Sequence, residues 1–388
     1  MATLFFDATV FTPQFVLERH AVVVSDDGKI AFIGKVEDAP QVNGLHLNLR
    51  NRILAPGFID VHVHGGNGID FGGGDLSAGL DAYSTWVARN GVTGFLLSIA
   101  GPDAPSLTNL TASYADLLGK DNPGAEPLGL HLEGPFLSRE KKGAFDPSWF
   151  RPGSLEEAQG YLDAGKGWIL QMTMAPETPN AAAVAKLFRQ NGVVVSLGHS
   201  NADYETASRA LRSDFVHVTH TFNAQSSFDH RTPGVFGAVM SSDHITAELI
   251  GDNVHVHPAA MKVLIRCLGT DRVVLITDAM TGAGLGDGKY LLVGNEVIVK
   301  DGRATLANGT LAGSIATLNQ CVRNVHRLAG YPLQDAVKMA SLNPARAMGL
   351  ADRLGAIHVG KDACLTVIDE DVNVYLTMVK GKIVFNNL

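Results

Sequence analysis

Eight short apolar segments, most of them separated by amphipathic stretches, constrain the fold of this chain more than any other feature. Their length and composition predict β-strands at Phe58–His64, Thr93–Ser98, Leu128–Glu133, Trp168–Met174, Val193–His199, Phe215–His220, Ile245–Ile250 and Val273–Asp278. The helical spacing of apolar residues predicts helices at Leu76–Asn90, Pro105–Leu118, Leu155–Ala164, Ala181–Gln190, Ala202–Leu211, Pro258–Leu268, Ile315–Leu328 and Leu333–Met348. This alternation predicts an α/β fold of the (β/α)8 TIM-barrel type, with a doubly wound open sheet as the alternative.

The two ends of the chain have a different pattern from the middle. Short strand-like runs fill roughly the first 55 residues and include a hairpin signal at Asp26-Asp27-Gly28, and a second hairpin is predicted around Lys380-Gly381. We therefore predict one small β-sandwich domain formed by residues 1–55 and 355–388, beside a catalytic barrel formed by residues 56–354.

The composition excludes several classes of protein. Hydrophobic residues make up 46% and charged residues 18% of the 388 residues, and the formal net charge is −8. An acidic chain of this kind is not expected to bind nucleic acid. No apolar run reaches the roughly 20 residues of a membrane helix, and the start lacks a secretory signal pattern, so no membrane partner is expected. The three cysteines lie far apart, which favours a cytoplasmic location over a disulfide framework.

Residues that can bind metal ions collect at the carboxyl ends of the predicted strands, where barrel active sites lie. The alternation of side chains along a strand places His62 and His64 on one face, together with Asp60. Two imidazoles with this spacing can bind one metal ion. The six candidates at strand ends are His62, His64, Glu133, His199, His220 and Asp278. Together they predict a pocket for one or two divalent metal ions.

The donor atoms of these residues indicate the chemistry. Imidazoles and carboxylates suit zinc, or otherwise iron, cobalt, manganese or nickel, better than magnesium. A metal ion here would lower the pKa of a bound water and polarise a carbonyl group. Asp278 would then take a proton from the water and pass it to the leaving group. This arrangement predicts hydrolysis of an amide-like bond.

The motifs of the chain resemble those of the amidohydrolase superfamily and, within it, the N-acetylglucosamine-6-phosphate deacetylase family. They extend over nearly the whole chain and read PGFIDVHVHG (56–65), HLEGPF (131–136), KKGA (141–144), GHS (198–200), THTFNA (219–224), HRTPG (230–234), DNVHVHP (252–258), LITDAM (275–280) and GTLAGS (309–314). The resemblance implies a metal-dependent barrel, a small β domain formed by both termini and a homodimer. It also implies hydrolysis of an N-acetyl amino-sugar 6-phosphate to acetate and the amino-sugar phosphate.

The resemblance also implies a role for individual residues. Glu133, His199 and His220 match the principal metal site of the family, while His62 and His64 match a second one. Asp278 matches the general base and acid. The residues expected at the substrate are Asn223 and Ala224 beside the sugar, Arg231 and His255 at the phosphate, and also Gly134 and the residue at position 145. The phosphate site is expected near the interface between two subunits.

The chain departs from the family pattern at Phe145, which follows KKGA where a histidine commonly contacts the substrate carbonyl. A phenylalanine cannot donate a hydrogen bond, and losing such a donor costs about 10²–10³ in rate at comparable sites. Three explanations remain open. A binuclear metal centre compensates, another histidine such as His131 or His230 takes the role, or the substrate differs.

Four alternatives to deacetylation of the glucosamine phosphate follow from these observations. The first is the galactosamine epimer, and the second is another amidohydrolase substrate, such as an N-acyl amino acid, a hydantoin or a dipeptide. Arg231 and His255 argue against the second, because those substrates carry no phosphate. The third is a barrel that has lost catalysis, which only Phe145 favours. A nicotinamide-dependent dehydrogenase is disfavoured because no GxGxxG follows an early strand.

Overall fold

The two ends of the chain meet in one β-sheet of the structure, a computed structural model that describes residues 2–388. Its eight strands are β1 (Thr3–Phe11), β2 (Val16–Val24), β3 (Ile30–Lys35), β4 (Leu45–Asn48), β5 (Ile53–Pro56), β19 (Leu365–Ile368), β20 (Val374–Val379) and β21 (Lys382–Asn386). Antiparallel pairing of β5 with β19 joins the two ends. The sheet has an apolar core of its own, which includes Phe5, Leu54 and Leu376. The prediction of a small β domain built from both termini is confirmed.

A second sheet of eight parallel strands forms the barrel. Its strands are β6 (Phe58–Asp60), β9 (Val92–Ile99), β10 (Glu126–Glu133), β11 (Ile169–Met174), β12 (Val194–Leu197), β13 (Phe215–Val218), β14 (Thr246–Ile250) and β15 (Val273–Ile276), in that spatial order. All eight fall within or beside the segments predicted from the sequence. The predicted TIM barrel is therefore confirmed, and the proposed boundary at residue 56 lies at the end of β5.

Helices connect most of the barrel strands. They are α1 (Leu76–Ala88), α2 (Ala104–Ala115), α3 (Leu155–Gly165), α4 (Ala181–Gln190), α5 (Tyr204–Leu211), α6 (Gly234–Met240), α7 (Pro258–Leu268), α8 (Leu318–Arg327), α9 (Leu333–Met339) and α10 (Leu342–Ala347). Capping side chains set several of their starts, as Asp75, Ser154 and Asp203 each accept a hydrogen bond from the first turn. The single helix predicted over Leu333–Met348 is two helices, because Pro344 cannot continue the hydrogen bonds of α9.

Hydrogen bonds just beyond β6 and β15 join the first and last barrel strands. The Asp278 amide donates to the His62 carbonyl, and the His64 amide donates to the Ala279 carbonyl, both at 2.9 Å. The Asp60 carboxylate accepts from the Thr277 hydroxyl at 2.6 Å. Closure therefore brings the residues that follow the first strand next to those that follow the eighth.

Two smaller sheets, which the sequence did not predict, lie beyond the barrel strands. One pairs β7 (Gly65–Gly66) with β8 (Ile69–Asp70), and the other contains β16 (Gly288–Leu292), β17 (Asn295–Lys300) and β18 (Arg303–Thr305). The second packs Val297 and Val299 against Met280, two residues after Asp278. It therefore covers part of the barrel mouth. Within residues 2–388, none of the helices has the length and apolar character that a membrane span requires.

Candidate active site

Four of the six candidate ligands lie two residues beyond the end of a barrel strand. They are His62, His199, His220 and Asp278, which follow β6, β12, β13 and β15. Glu133 is the last residue of β10. His199, His220 and Asp278 have positive φ angles of 45°, 27° and 50°, a region that residues other than glycine rarely adopt. Strained backbone of this kind clusters at functional sites, and here it marks one end of the barrel.

Glu133 lies at the centre of the first ligand group. Its Oε1 is 3.1 Å from His199 Nε2 and 3.2 Å from His220 Nε2. The two histidine Nε2 atoms are 3.1 Å apart. The Nδ1 of His199 lies 2.7 Å from the Lys141 carbonyl oxygen, which directs its Nε2 into the group. The three ligand atoms all lie within 4.8 Å of one another, a spacing at which one metal ion could contact them all.

His62, His64 and Asp278 form the second ligand group, whose ligand atoms also lie within 4.8 Å of one another. Asp278 Oδ1 is 3.6 Å from His62 Nε2 and 3.5 Å from His64 Nε2. His62 Nε2 is buried and has no hydrogen-bond partner among residues 2–388. A buried nitrogen without a partner is costly unless something binds it. These donors therefore fit a second ion beside the first, with His64 Nε2 only 3.0 Å from Glu133 Oε2.

The sequence predicted that His62 and His64 lie on a strand with alternating side chains, and the structure differs from this prediction. Strand β6 ends at Asp60, so His62 and His64 belong to the loop that follows. The carboxylate of Asp60 does not join them, because it binds Thr277. Burial raises the pKa of Asp60 to about 7, and the hydrogen bonds from Thr277 oppose that rise.

The electrostatics of the site reflect its mixture of carboxylates and imidazoles. Burial disfavours the charged form of His62, but the negative charges of Glu248, Glu133 and Asp278 outweigh it and raise the His62 pKa. Burial likewise disfavours the Glu133 anion, yet His62 and the hydrogen bonds from His199 and His220 hold its pKa well below the usual value. The centre of the site therefore holds an anion that can bind a cation.

Both ligand groups border a cavity of about 360 Å³, within the range of small-molecule sites. The predicted residues that line it are His64, Glu133, Phe145, His199, His220, Asn223, Ala224, His255 and Asp278. Gly134 and Arg231 do not line this cavity among residues 2–388. The amide of Gly134 donates to the Thr173 carbonyl at 3.1 Å, and Arg231 lies exposed on a surface loop.

The side chain of His255 is largely buried in the cavity wall. Its Nδ1 lies 2.7 Å from Asp252 Oδ2, and its amide donates to Oδ1 of the same carboxylate at 2.8 Å. Burial lowers its pKa, but the hydrogen bond and charge of Asp252 outweigh burial and raise it. An imidazole held in this way favours a positive charge at the cavity.

Phe145 forms an apolar part of the same wall. Its ring lies edge-on to His199, with centroids 5.3 Å apart, and packs with Leu137 and Phe150. A neighbouring cavity of about 820 Å³ shares His64 and Val293 with the first. The side chain of Phe145 itself offers no hydrogen-bond donor to this part of the wall.

Neither histidine proposed as a replacement lies at the cavity wall. His131 is buried, and its ring nitrogens lie 2.8 Å from the Ser98 hydroxyl and 2.7 Å from the Thr173 hydroxyl. The His230 side chain is 70% exposed and lies beside Asp229. Of the three explanations for Phe145, the geometry argues against a replacement histidine and leaves a binuclear metal centre or a different substrate.

A layer of buried polar side chains lies beneath the ligands and was not predicted from the sequence. Glu248 in β14 has no exposed surface and lies 2.9 Å from His62 Nδ1. Gln171 and His217 contact the same carboxylate at 2.7 and 3.2 Å. A signal was present, because a carboxylate within the apolar run Ile245–Ile250 is as costly to bury as Glu133.

Comparison with known proteins gives a consistent result. A family model described as "Amidohydrolase family" matches residues 53–384. The chain is 33% identical to the N-acetylglucosamine-6-phosphate deacetylase of Bacillus subtilis (strain 168), over 98% of this chain and 96% of that protein. It is 35% identical to the N-acetylgalactosamine-6-phosphate deacetylase of Escherichia coli O157:H7, over 85% of this chain and 87% of that protein.

A solved structure agrees over the whole length. It is a mutant N-acetyl-D-glucosamine-6-phosphate deacetylase from Mycobacterium smegmatis in complex with N-acetyl-D-glucosamine-6-phosphate. It is 32% identical, has a TM-score of 0.91, and the match covers 99% of this chain and 100% of that chain.

Proposed function

The chain belongs to the amidohydrolase family, and on that premise we propose that it hydrolyses N-acetyl-D-glucosamine 6-phosphate to D-glucosamine 6-phosphate and acetate. The observation that carries this proposal is the convergence of two groups of metal-ligand side chains on one cavity. The relatives that match 98–99% of the chain bear the name of this activity. The galactosamine epimer is not favoured, because the relatives and solved structures that match 98–99% of the chain bear the glucosamine name.

We propose that Glu133, His199 and His220 hold one divalent ion, and that His62, His64 and Asp278 form the second position. The nitrogen and oxygen donors favour zinc, with iron, cobalt, manganese and nickel as alternatives. When bound, such an ion lowers the pKa of water and polarises an amide carbonyl. Metal analysis of the purified protein identifies the ion and its stoichiometry.

Asp278 is the proposed proton carrier. Its amide donates to the His62 carbonyl at 2.9 Å, and its carbonyl accepts from the Ser314 amide at 2.7 Å, so its backbone is held on both sides. The side chain is 13% exposed and borders the cavity. A carboxylate in this position can take a proton from the attacking water and deliver it to the departing amine.

The proposed substrate orientation follows from the remaining wall of the cavity. Asn223 and Ala224 contact the sugar, and His255 provides positive charge for the phosphate. Arg231 is exposed and outside the cavity of its own chain. This position supports a homodimer in which Arg231 reaches the neighbouring subunit's phosphate site. All three cysteines are free, which supports a cytoplasmic location.

Acetate release from four substrates tests the proposal. They are the 6-phosphates of N-acetyl-D-glucosamine and N-acetyl-D-galactosamine and the two unphosphorylated sugars. We expect the highest kcat/KM for the glucosamine phosphate and much lower values without phosphate. Chelator-treated protein, assayed before and after zinc is restored, is the control. No acetate from any substrate, or a folded wild-type protein that binds no metal, would refute the proposed function.

A further inference from the structure

Glu248 is a buried carboxylate that the proposed reaction does not use. It lies in the middle of β14, and its side chain has no exposed surface. Each of its oxygens has two close nitrogen partners. Oε1 lies 2.7 Å from Gln171 Nε2 and 3.2 Å from His217 Nε2. Oε2 lies 2.9 Å from both His62 Nδ1 and the backbone nitrogen of His220.

The contact with His62 determines which nitrogen of that ring faces the site. Because a carboxylate accepts, Nδ1 of His62 must carry the proton and donate to Glu248. The Nε2 atom of a neutral His62 is then left with a lone pair. It points to the gap between Glu133 and Asp278, at 3.5 and 3.6 Å from their oxygens. Glu248 therefore prepares His62 Nε2 as a metal ligand.

The contact with His220 acts through the backbone. His220 has a φ of 27°, which is costly for a residue with a side chain. The hydrogen bond from its amide to Glu248 holds this turn in place. The same turn brings His220 Nε2 to 3.2 Å from Glu133 Oε1. One carboxylate thus contacts one member of each ligand group.

We propose that Glu248 is a positioning residue that fixes His62 and His220 together, and so sets the geometry of both metal positions. The inference rests on the proposed metal centre. Partners of this kind beneath metal ligands typically contribute about 10–100-fold to metal affinity. We expect the position that contains His62 to be affected more, because that ring is bound directly.

Glu248→Met tests this inference, because methionine is similar in length but replaces both carboxylate oxygens with one thioether sulfur, which is only a weak acceptor. The Zn²⁺ affinity of the full chain is measured by competition with a chelator, and Co²⁺ absorption spectra report the ligand geometry. We expect affinity to fall about 10–100-fold and the Co²⁺ spectrum to change. Glu248→Gln keeps one acceptor oxygen for His62 and His220, and Gln171 can turn its unpartnered Oε1 to the new amide. We expect the Zn²⁺ affinity of Glu248→Gln to lie within about fivefold of that of the wild type.

Thr246→Val is the matched control on the same strand. It removes the contact between the Thr246 hydroxyl and His217 Nδ1, 2.6 Å apart, and leaves the Glu248–His62 contact intact. We expect wild-type metal affinity and an unchanged Co²⁺ spectrum. Comparing the unfolding midpoints of the metal-free variants separates loss of stability from loss of metal binding.

Three results would overturn the inference. The first is wild-type affinity and spectrum in Glu248→Met, and the second is an affinity of Glu248→Gln as low as that of Glu248→Met. The third applies if Glu248→Met does not fold. In that case ¹⁵N spectra of the zinc-loaded wild-type chain determine the His62 tautomer, and a proton on Nε2 would overturn the inference. A wild-type chain that binds no metal would instead refute the proposed function.

Discussion

At the scale of single residues, Asp278 and Phe145 border the same cavity and have opposite capacities. The carboxylate of Asp278 can accept and release a proton, whereas the ring of Phe145 can do neither. In the proposed reaction, Asp278 carries the proton and Phe145 does not take part in proton transfer. Substituting either residue and measuring kcat tests how much of the rate depends on it.

We expect Asp278→Asn to lower kcat by about 10²–10⁴-fold, because an amide cannot carry the proton. Metal analysis should still find an ion at Glu133, His199 and His220. Asp301→Asn, at an exposed position, is the control and should leave kcat unchanged. Activity near the wild-type level in Asp278→Asn would remove its proposed role.

Phe145→His places a donor beside the ring of His199, 5.3 Å between centroids in the wild-type protein. A single donor to a developing oxyanion contributes up to about 10²–10³ in rate, so we expect kcat for the acetylated substrate to rise at least about tenfold. Burying a polar ring should lower the unfolding temperature. Phe145→Leu adds no donor and should not raise kcat. An equal rate in both variants would contradict the prediction.

At the scale of elements, the hairpin of β16 and β17 supports the segment that carries Phe145. Its turn lies at Val293 and Gly294, and Val293 packs against the cluster of Leu137, Phe145 and Phe150. The Asn295 side chain donates to the Ala144 carbonyl at 3.0 Å. Ala144, Leu292 and Val293 all line the site cavity. The hairpin and the 138–150 segment therefore together form one wall of the site cavity.

We expect Asn295→Ala to raise KM about fivefold while kcat changes less, because one hydrogen bond of about 1 kcal/mol holds this wall. Steady-state kinetics on the glucosamine phosphate measure the effect. Lys289→Ala removes an exposed ion pair with Glu296 in the same hairpin and should leave KM unchanged. A KM effect of equal size in both variants would show that the Ala144 contact is not responsible.

At the scale of the whole molecule, a network of ion pairs joins the terminal sheet to the amino end of the barrel. Arg353 contacts Asp362 at 3.0 Å and Glu126, the first residue of β10, at 3.1 Å. Lys29 also binds Asp362, and Lys380 binds Glu126 at 2.8 Å. Burial raises the pKa of Asp362, but Lys29 and Arg353 outweigh burial and lower it.

This shift predicts how stability depends on pH. A carboxyl group whose pKa is lowered in the folded state stabilises the fold above its unfolded pKa of about 3.9. That contribution is lost as pH falls through the lowered value. We expect Asp362→Asn to reduce the free energy of unfolding by about 1 kcal/mol at pH 7, since its partners are partly exposed. Urea unfolding should show this difference shrinking below about pH 4.

Glu37→Gln is the control, because its ion pair with Lys35 is exposed on both sides. It should change the free energy of unfolding little at any pH. A constant difference between wild type and Asp362→Asn from pH 7 to pH 3 would contradict the assigned pKa shift.

The sequence by itself determined the alternation of strands and helices and the polar residues at the strand ends. Both follow from local periodicity, since apolar runs and helical spacing can be read within a window of about 11–18 residues. His199, His220 and Asp278 could be grouped in advance because all parallel strands of a barrel end at one face. The departure from the family pattern at Phe145 also follows from the sequence alone.

Only the tertiary structure decided which side chains meet. His62 and Glu248 are 186 positions apart and touch because the barrel closes on itself. Closure also engages Asp60 with Thr277. The loop between β13 and α6 places Arg231 outside the cavity of its own chain. The periodicity of a segment reports which of its faces is buried, but not what lies against that face. The ligands could therefore be proposed from the sequence, whereas the carboxylate that contacts two of them required the fold.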